Sequence, residues 1–177
     1  KIDAELVPLV SGSATGVTFK ASVPTGGGPI ILDLRGGPVP LSTLGLKDGE
    51  LGLKGVDKAS IETKVHVELL REPAVMNFDG VGKLSGLGVE YAKLAPEPVE
   101  GLTLALRMKG GLGLDGSFFR LDDGEFDVGA VQLELRGNVE RRPEGFDADA
   151  RFAIPLVSCQ SVLDALPQKL VPSIYGM

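Results

Sequence analysis

One histidine and one cysteine occur among 177 residues. A metal site built from several imidazoles, a thiolate zinc cluster and a disulfide framework internal to the chain are therefore excluded. His66 stands between Val65 and Val67 in an alternating stretch, so its ring faces away from theirs. Glu62, Glu68 and Glu90 are carboxylates that could tune it. With no second histidine and no motif around it, His66 reads as a solvated strand residue.

Carboxylates gather at Asp48/Glu50, at Asp122/Asp123/Glu125 and at Asp147/Asp149. A paired acid and base needs two carboxyls at a fixed gap, one with a raised pKa. Asp147 and Asp149 share one strand face, so the pairing is sterically allowed. Their alternation with alanines is equally the pattern of a solvated outer face. Asp122-Asp123-Gly124-Glu125-Phe126-Asp127 holds half of a calcium loop and lacks the distal part. A turn is the simpler reading.

Gly26-Gly27-Gly28 precedes a strand pattern, whereas a phosphate cradle needs a helix N-terminus after it. No Gly-x-Ser-x-Gly is present, and Ser11-Gly12-Ser13 has no base partner. Cys159 lies at the start of a short expected helix. It is either a small buried apolar residue or half of a disulfide to a cysteine beyond Met177, if the parent protein is exported. A catalytic thiol would have only His66 as its imidazole. No catalytic, cofactor-binding or metal-ligating residue is assigned, and no cofactor is called for.

The elements that would carry these residues are strands. Residues 17–23 alternate Val17, Phe19, Ala21 and Val23 with Thr18, Lys20 and Ser22. The same period of two runs through residues 30–35, 59–69, 102–109, 131–136 and 146–154. Each stretch has one apolar and one wet face, which suits an antiparallel sheet. The 25 glycines are about twice the usual share of roughly 7%. They read as punctuation between strands. Lys47-Asp48-Gly49-Glu50, Asp79-Gly80, Asp115-Gly116 and Asp122-Asp123-Gly124-Glu125 are expected turns.

After Pro155 the rhythm changes. Ser158-Cys159-Gln160-Ser161-Val162-Leu163-Asp164-Ala165-Leu166-Pro167 reads as a short helix with Ser158 as N-cap, inside a helical segment 158–172. The fold class is thus mainly β: long antiparallel strands in a curved sheet or sandwich, with a short C-terminal helix. A weak internal repeat pairs Asp48-Gly49-Glu50-Leu51 with Asp123-Gly124-Glu125-Phe126, about 75 residues on. It suggests sub-units 1–94 and 99–157 within a single domain 1–177, joined at Ala95-Pro96-Glu97-Pro98.

The balance of 18 basic and 24 acidic residues, a net charge of −6, argues against a nucleic-acid partner. No signal peptide and no run of 18 apolar residues is present. The chain starts at Lys1 and stops at Gly176-Met177, and reads as a piece of a longer protein. Its collective property is a set of Leu/Val/Ile/Ala strand faces with few aromatics to fill a middle. Either a second layer covers that face or part of it stays open as an interaction site.

Three stretches carry a resemblance. The first is Gly37-Pro38-Val39-Pro40-Leu41-Ser42-Thr43-Leu44-Gly45, leading to Asp48-Gly49-Glu50-Leu51-Gly52-Leu53. The second is Leu94-Ala95-Pro96-Glu97-Pro98-Val99-Glu100-Gly101-Leu102. The third is Ile154-Pro155-Leu156-Val157-Ser158-Cys159-Gln160, then Leu163-Asp164-Ala165-Leu166-Pro167 and Leu170-Val171-Pro172. Together they resemble the β-rich, AsmA-like region upstream of the catalytic domain in transglycosylase-domain proteins (peptidoglycan glycosyltransferase family 51) of myxobacteria and their relatives.

The resemblance implies a periplasmic module, tied to the inner membrane through its parent protein. Its partners would be the rest of that chain, namely a membrane anchor and a glycosyltransferase domain, together with lipid or envelope proteins. It implies a non-catalytic spacer or docking role in cell-wall biogenesis. The alternative is an AsmA-like lipid-binding groove. The family's catalytic glutamate motif, which contains Phe and His, has no counterpart here: Phe78, Phe118 and Phe119 have no histidine nearby. A carbohydrate-binding module is the third reading, but its usual aromatic platform is missing, with no Trp and only Tyr91 and Tyr175.

Overall fold

The computed structural model describes residues 2–6, 16–90, 99–129 and 131–155. Nine strands follow one another across a single antiparallel sheet: β1 (Ile2–Leu6), β2 (Val17–Val23), β3 (Ile30–Pro40), β5 (Ser60–Leu70), β6 (Val75–Val89), β7 (Val99–Gly113), β8 (Phe118–Val128), β9 (Val131–Arg142) and β10 (Gly145–Ala153). The two-residue β4 (Leu53–Lys54) pairs with the end of β6. The sheet is curved and unclosed, with β1 and β10 at its two ends. The mainly β expectation is met in its curved-sheet form. The expected C-terminal helix, with Cys159, lies outside the described residues.

Register makes the sheet two-faced. In antiparallel strands, residues directly opposite point to the same side. One such row runs Leu32, Val67, Phe78, Gly110 and Leu121 across β3 to β8. The next runs Leu34, Val65, Gly80, Met108 and Gly124. On the other face the rows are charged: Asp33, His66, Asp79 and Lys109 are successive cross-strand neighbours.

Two expected turns are corrected. Asp79-Gly80 lies inside β6, and Asp122-Asp123-Gly124-Glu125 lies inside β8. Gly80 and Gly124 occupy apolar-face positions flanked by Val65, Met108 and Leu135. At Gly124 a Cβ would meet Leu135 O at 2.9 Å and Leu121 Cδ2 at 3.0 Å, whereas at Gly80 it would make only ordinary contact with Val65. A register shift between Leu121 and Gly124 absorbs the extra residue as a bulge. Asp115-Gly116 is a turn, as expected, with Asp115 Oδ1 accepting the Ser117 N–H at 2.9 Å. The two Asp-Gly-Glu segments therefore differ locally. The first enters a 3-10 turn (Glu50–Gly52) and the second is strand. The sheet runs unbroken from β6 to β7, across the expected sub-unit boundary. Residues 95–98, the expected joint, lie outside the described residues.

Among the described residues, the excursion from the meander is the segment between β3 and β5. It leaves through a bulge at Gly37, where φ is +109° and a Cβ would strike the backbone of Ile61 and Glu62. Two 3-10 turns, Leu41–Leu44 and Glu50–Gly52, then fold it over one end of the apolar face. Leu41, Val56 and Ala59 bury themselves there with Leu87, against Ile61, Leu84, Leu102 and Leu104. Hydrogen bonds fasten the segment: Leu41 N–H to Ala59 O at 2.9 Å, Val56 N–H to Asp48 Oδ1 at 2.8 Å, and Glu90 N–H to Gly52 O at 2.7 Å. The Lys54 ammonium sits 2.9 Å from Glu90 Oε2, which raises its pKa.

Candidate functional site: an open apolar face

Among the described residues, the buried apolar side chains are only Leu41, Val56, Ala59, Leu87, Val99 and Leu121. The chain as a whole is 43% apolar. Among the described residues, most of the other apolar side chains lie on one side of the sheet. Most apolar-face residues of β2 to β6 are part-buried. Over β7 to β10 the same face opens: Leu106 and Phe126 are each 40% exposed, Phe146 74% and Phe152 75%. Met108, Phe119, Leu135 and Ile154 join them. Leu106 and Phe126 are direct cross-strand partners, as are Leu135 and Phe152. The exposed residues thus form one patch, and a contiguous apolar patch marks an interaction surface in a way that scattered leucines do not.

Glycines shape that patch. Gly110 of β7 lies between Phe78 and Leu121. A Cβ there would meet Phe78 Cζ at 2.9 Å and the Arg120 carbonyl oxygen closer still. The Phe78 ring instead lies over bare backbone and stacks on Phe119, with centroids 6.2 Å apart and planes 17° from parallel. Gly137 of β9 likewise stands between Leu121 and Ala150. The face is consequently low and broad over β7 to β10, lined mainly by aliphatic and phenyl groups, with Arg141 beside Phe146 at one end.

The opposite face carries the titratable groups. His66 Nδ1 lies 2.8 Å from Asp33 Oδ1, a cross-strand contact from β5 to β3. An ionised carboxylate only accepts, so Nδ1 bears the proton. The carboxylates suggested by proximity in sequence, Glu62, Glu68 and Glu90, are not the partner. Around the pair is a groove of about 760 Å³ bordered by Arg35, Lys64, Asp79 and Lys109. Charges of both signs interleave there, as on a wet face.

Asp147 and Asp149 do share the polar side of β10, yet each faces an arginine. Arg142 Nη2 is 3.4 Å from Asp147 Oδ2, and Arg151 Nη2 is 3.7 Å from Asp149 Oδ2. Asp123 pairs with Arg136 at 3.2 Å, and Asp122 with Arg120 at 2.6 Å. These carboxylates belong to exposed ion pairs. Among the described residues no group of three or more His, Cys, Asp or Glu is placed to hold a metal ion. Nor is any helix there long and apolar enough to cross a membrane.

The open patch was foreshadowed only in general terms, as apolar strand faces with too few aromatics to close a core. Which strands stay open depends on where the 41–59 segment lands, and no local pattern states that. Comparisons with protein-family models, with curated proteins and with solved structures found no match.

Proposed function

We propose that the chain is a lipid-binding module whose apolar sheet face receives acyl chains. The observation that carries this reading is the patch over β7 to β10, which includes the Leu106–Phe126 pair. An acyl chain lies along such a surface without stranding a polar group of its own or of the protein. A sugar would find no Trp there, and a hydrogen-bonding side chain, Arg141, only at one end of the face. The width across several strands suits a flexible chain, and the charged opposite face keeps the module hydrated.

This is the AsmA-like alternative raised by the resemblance. The spacer or docking role in a periplasmic cell-wall glycosyltransferase rests on the resemblance alone. Of its three stretches, the first builds the bulge and the 41–59 cover, while the others fall largely outside the described residues.

Titration of the 177-residue chain with a fluorescent fatty acid, kept below its micelle-forming concentration, tests the reading. Saturable binding with a blue-shifted emission is expected. A linear response, equal to that of an unrelated acidic protein, would refute it.

A further inference from the structure

β10 is the last strand on the sheet path, and all nine of its residues are exposed. Its inner side is paired with β9 without a register break, from Gly145↔Arg142 to Ala153↔Glu134. Among the described residues no strand covers its outer side. Edge strands are usually blunted by charged side chains, lysine above all, or by proline, a bulge or short length. β10 has no lysine, proline or bulge and runs for nine residues, and its charges, Asp147, Asp149 and Arg151, are of both signs. At the other end, β1 has five.

We propose that β10 pairs antiparallel with β10 of a second copy of this chain, about a two-fold axis through Ala150. That register sets Asp149 opposite the partner's Arg151, twice by symmetry. On the apolar side it sets Ala148 opposite the partner's Phe152, and Phe146 opposite the partner's Ile154, small against large and large against large. Opposed residues of an antiparallel pair share a face, so the apolar patch of one copy continues into the other.

Competing registers are worse for stated reasons. An axis through Asp149 brings two Asp149 carboxylates together. An axis through Ala148 sets Asp147 against Asp149 twice. An axis between two residues joins the apolar face of one copy to the charged face of the other. A two-fold edge pairing is also closed, so it stops at two copies.

The assembly stands independently of acyl-chain binding. Its test is the mass of the 177-residue chain by light scattering and sedimentation, from low micromolar to millimolar concentration. A two-chain mass is expected at the upper end. Asp149→Arg and Arg151→Asp each place like charges across the axis, and each is expected to weaken the dimer roughly tenfold. The double variant D149R/R151D restores opposite charges and is expected to recover it. Circular dichroism at low concentration checks that each variant keeps its sheet. A single-chain mass at every concentration would overturn the proposal. So would a dimer indifferent to both single swaps, or a double swap that fails to recover it.

Discussion

Phe78 of β6 and Phe119 of β8 stack 6.2 Å apart although β7 runs between their strands. They meet because β7 offers Gly110 at the crossing, and a side chain there would occupy the place of the Phe78 ring. The pair ties three strands together on the side of the sheet that has little else above it. Glycine is a packing residue at this point.

Gly110→Ala should therefore be destabilising by about 1–3 kcal/mol, the usual range for overpacking. Gly82→Ala is the control, because the nearest atom to its Cβ position is Glu62 O at 3.9 Å. It should stay within about 0.5 kcal/mol of the parent chain, as substitutions away from such contacts do. Urea midpoints at constant slope give both values.

Asp48 holds the covering segment from within. Its Oδ1 accepts the N–H of Val56, whose side chain is 2% exposed. Asp48→Ala leaves that N–H without its acceptor and should cost about 1–3 kcal/mol. Asp48→Asn keeps an oxygen and should cost less. Amide exchange over residues 41–59 should accelerate in the alanine variant before the strands respond.

Asp115 provides the pH signature. Hydrogen bonding to Ser117 holds its carboxyl pKa below the usual value. A carboxylate with a depressed folded pKa stabilises the fold above its unfolded pKa. That contribution is lost as the pH falls through the folded value. Asp115→Ala should melt below the parent chain at neutral pH. The gap should close in acid, at pH values below the ordinary carboxylate range. A gap that widened on acidification would assign the Asp115 contribution the wrong sign.

Leu106 and Phe126 are cross-strand partners within the open patch. Both are 40% exposed, so a charge there has water available and the sheet should survive. Leu106→Glu removes the apolar area that an acyl chain would cover, at roughly 25 cal/mol per Å², and should weaken fatty-acid binding about tenfold. Thr103→Glu, on the opposite face, should bind like the parent chain.

The strands with full alternation were legible in the residues. β2 occupies residues 17–23, as its pattern states, and β10 differs from its pattern by one residue at each end. β6 and β8 were hidden because glycine replaces an apolar residue at positions 80, 82 and 124. Alone, Asp79-Gly80 and Asp123-Gly124 are good turn sequences. At Gly124 only the neighbouring Leu135 and Leu121 show why a missing side chain suits a strand there. His66 illustrates the same limit. Its partner Asp33 lies 33 residues back on the neighbouring strand β3, and pairing register decides the contact, not proximity in sequence. The apolar face was legible residue by residue, while its open half follows from the landing of the 41–59 segment.

Native mass spectrometry of the chain purified without detergent tests the lipid-binding claim most directly. The account predicts a fraction of molecules carrying an adduct of fatty-acid or phospholipid mass, lost on mild activation and strongly reduced in Leu106→Glu. A bare chain mass in both proteins, recovered from cells with intact lipid pools, would contradict it.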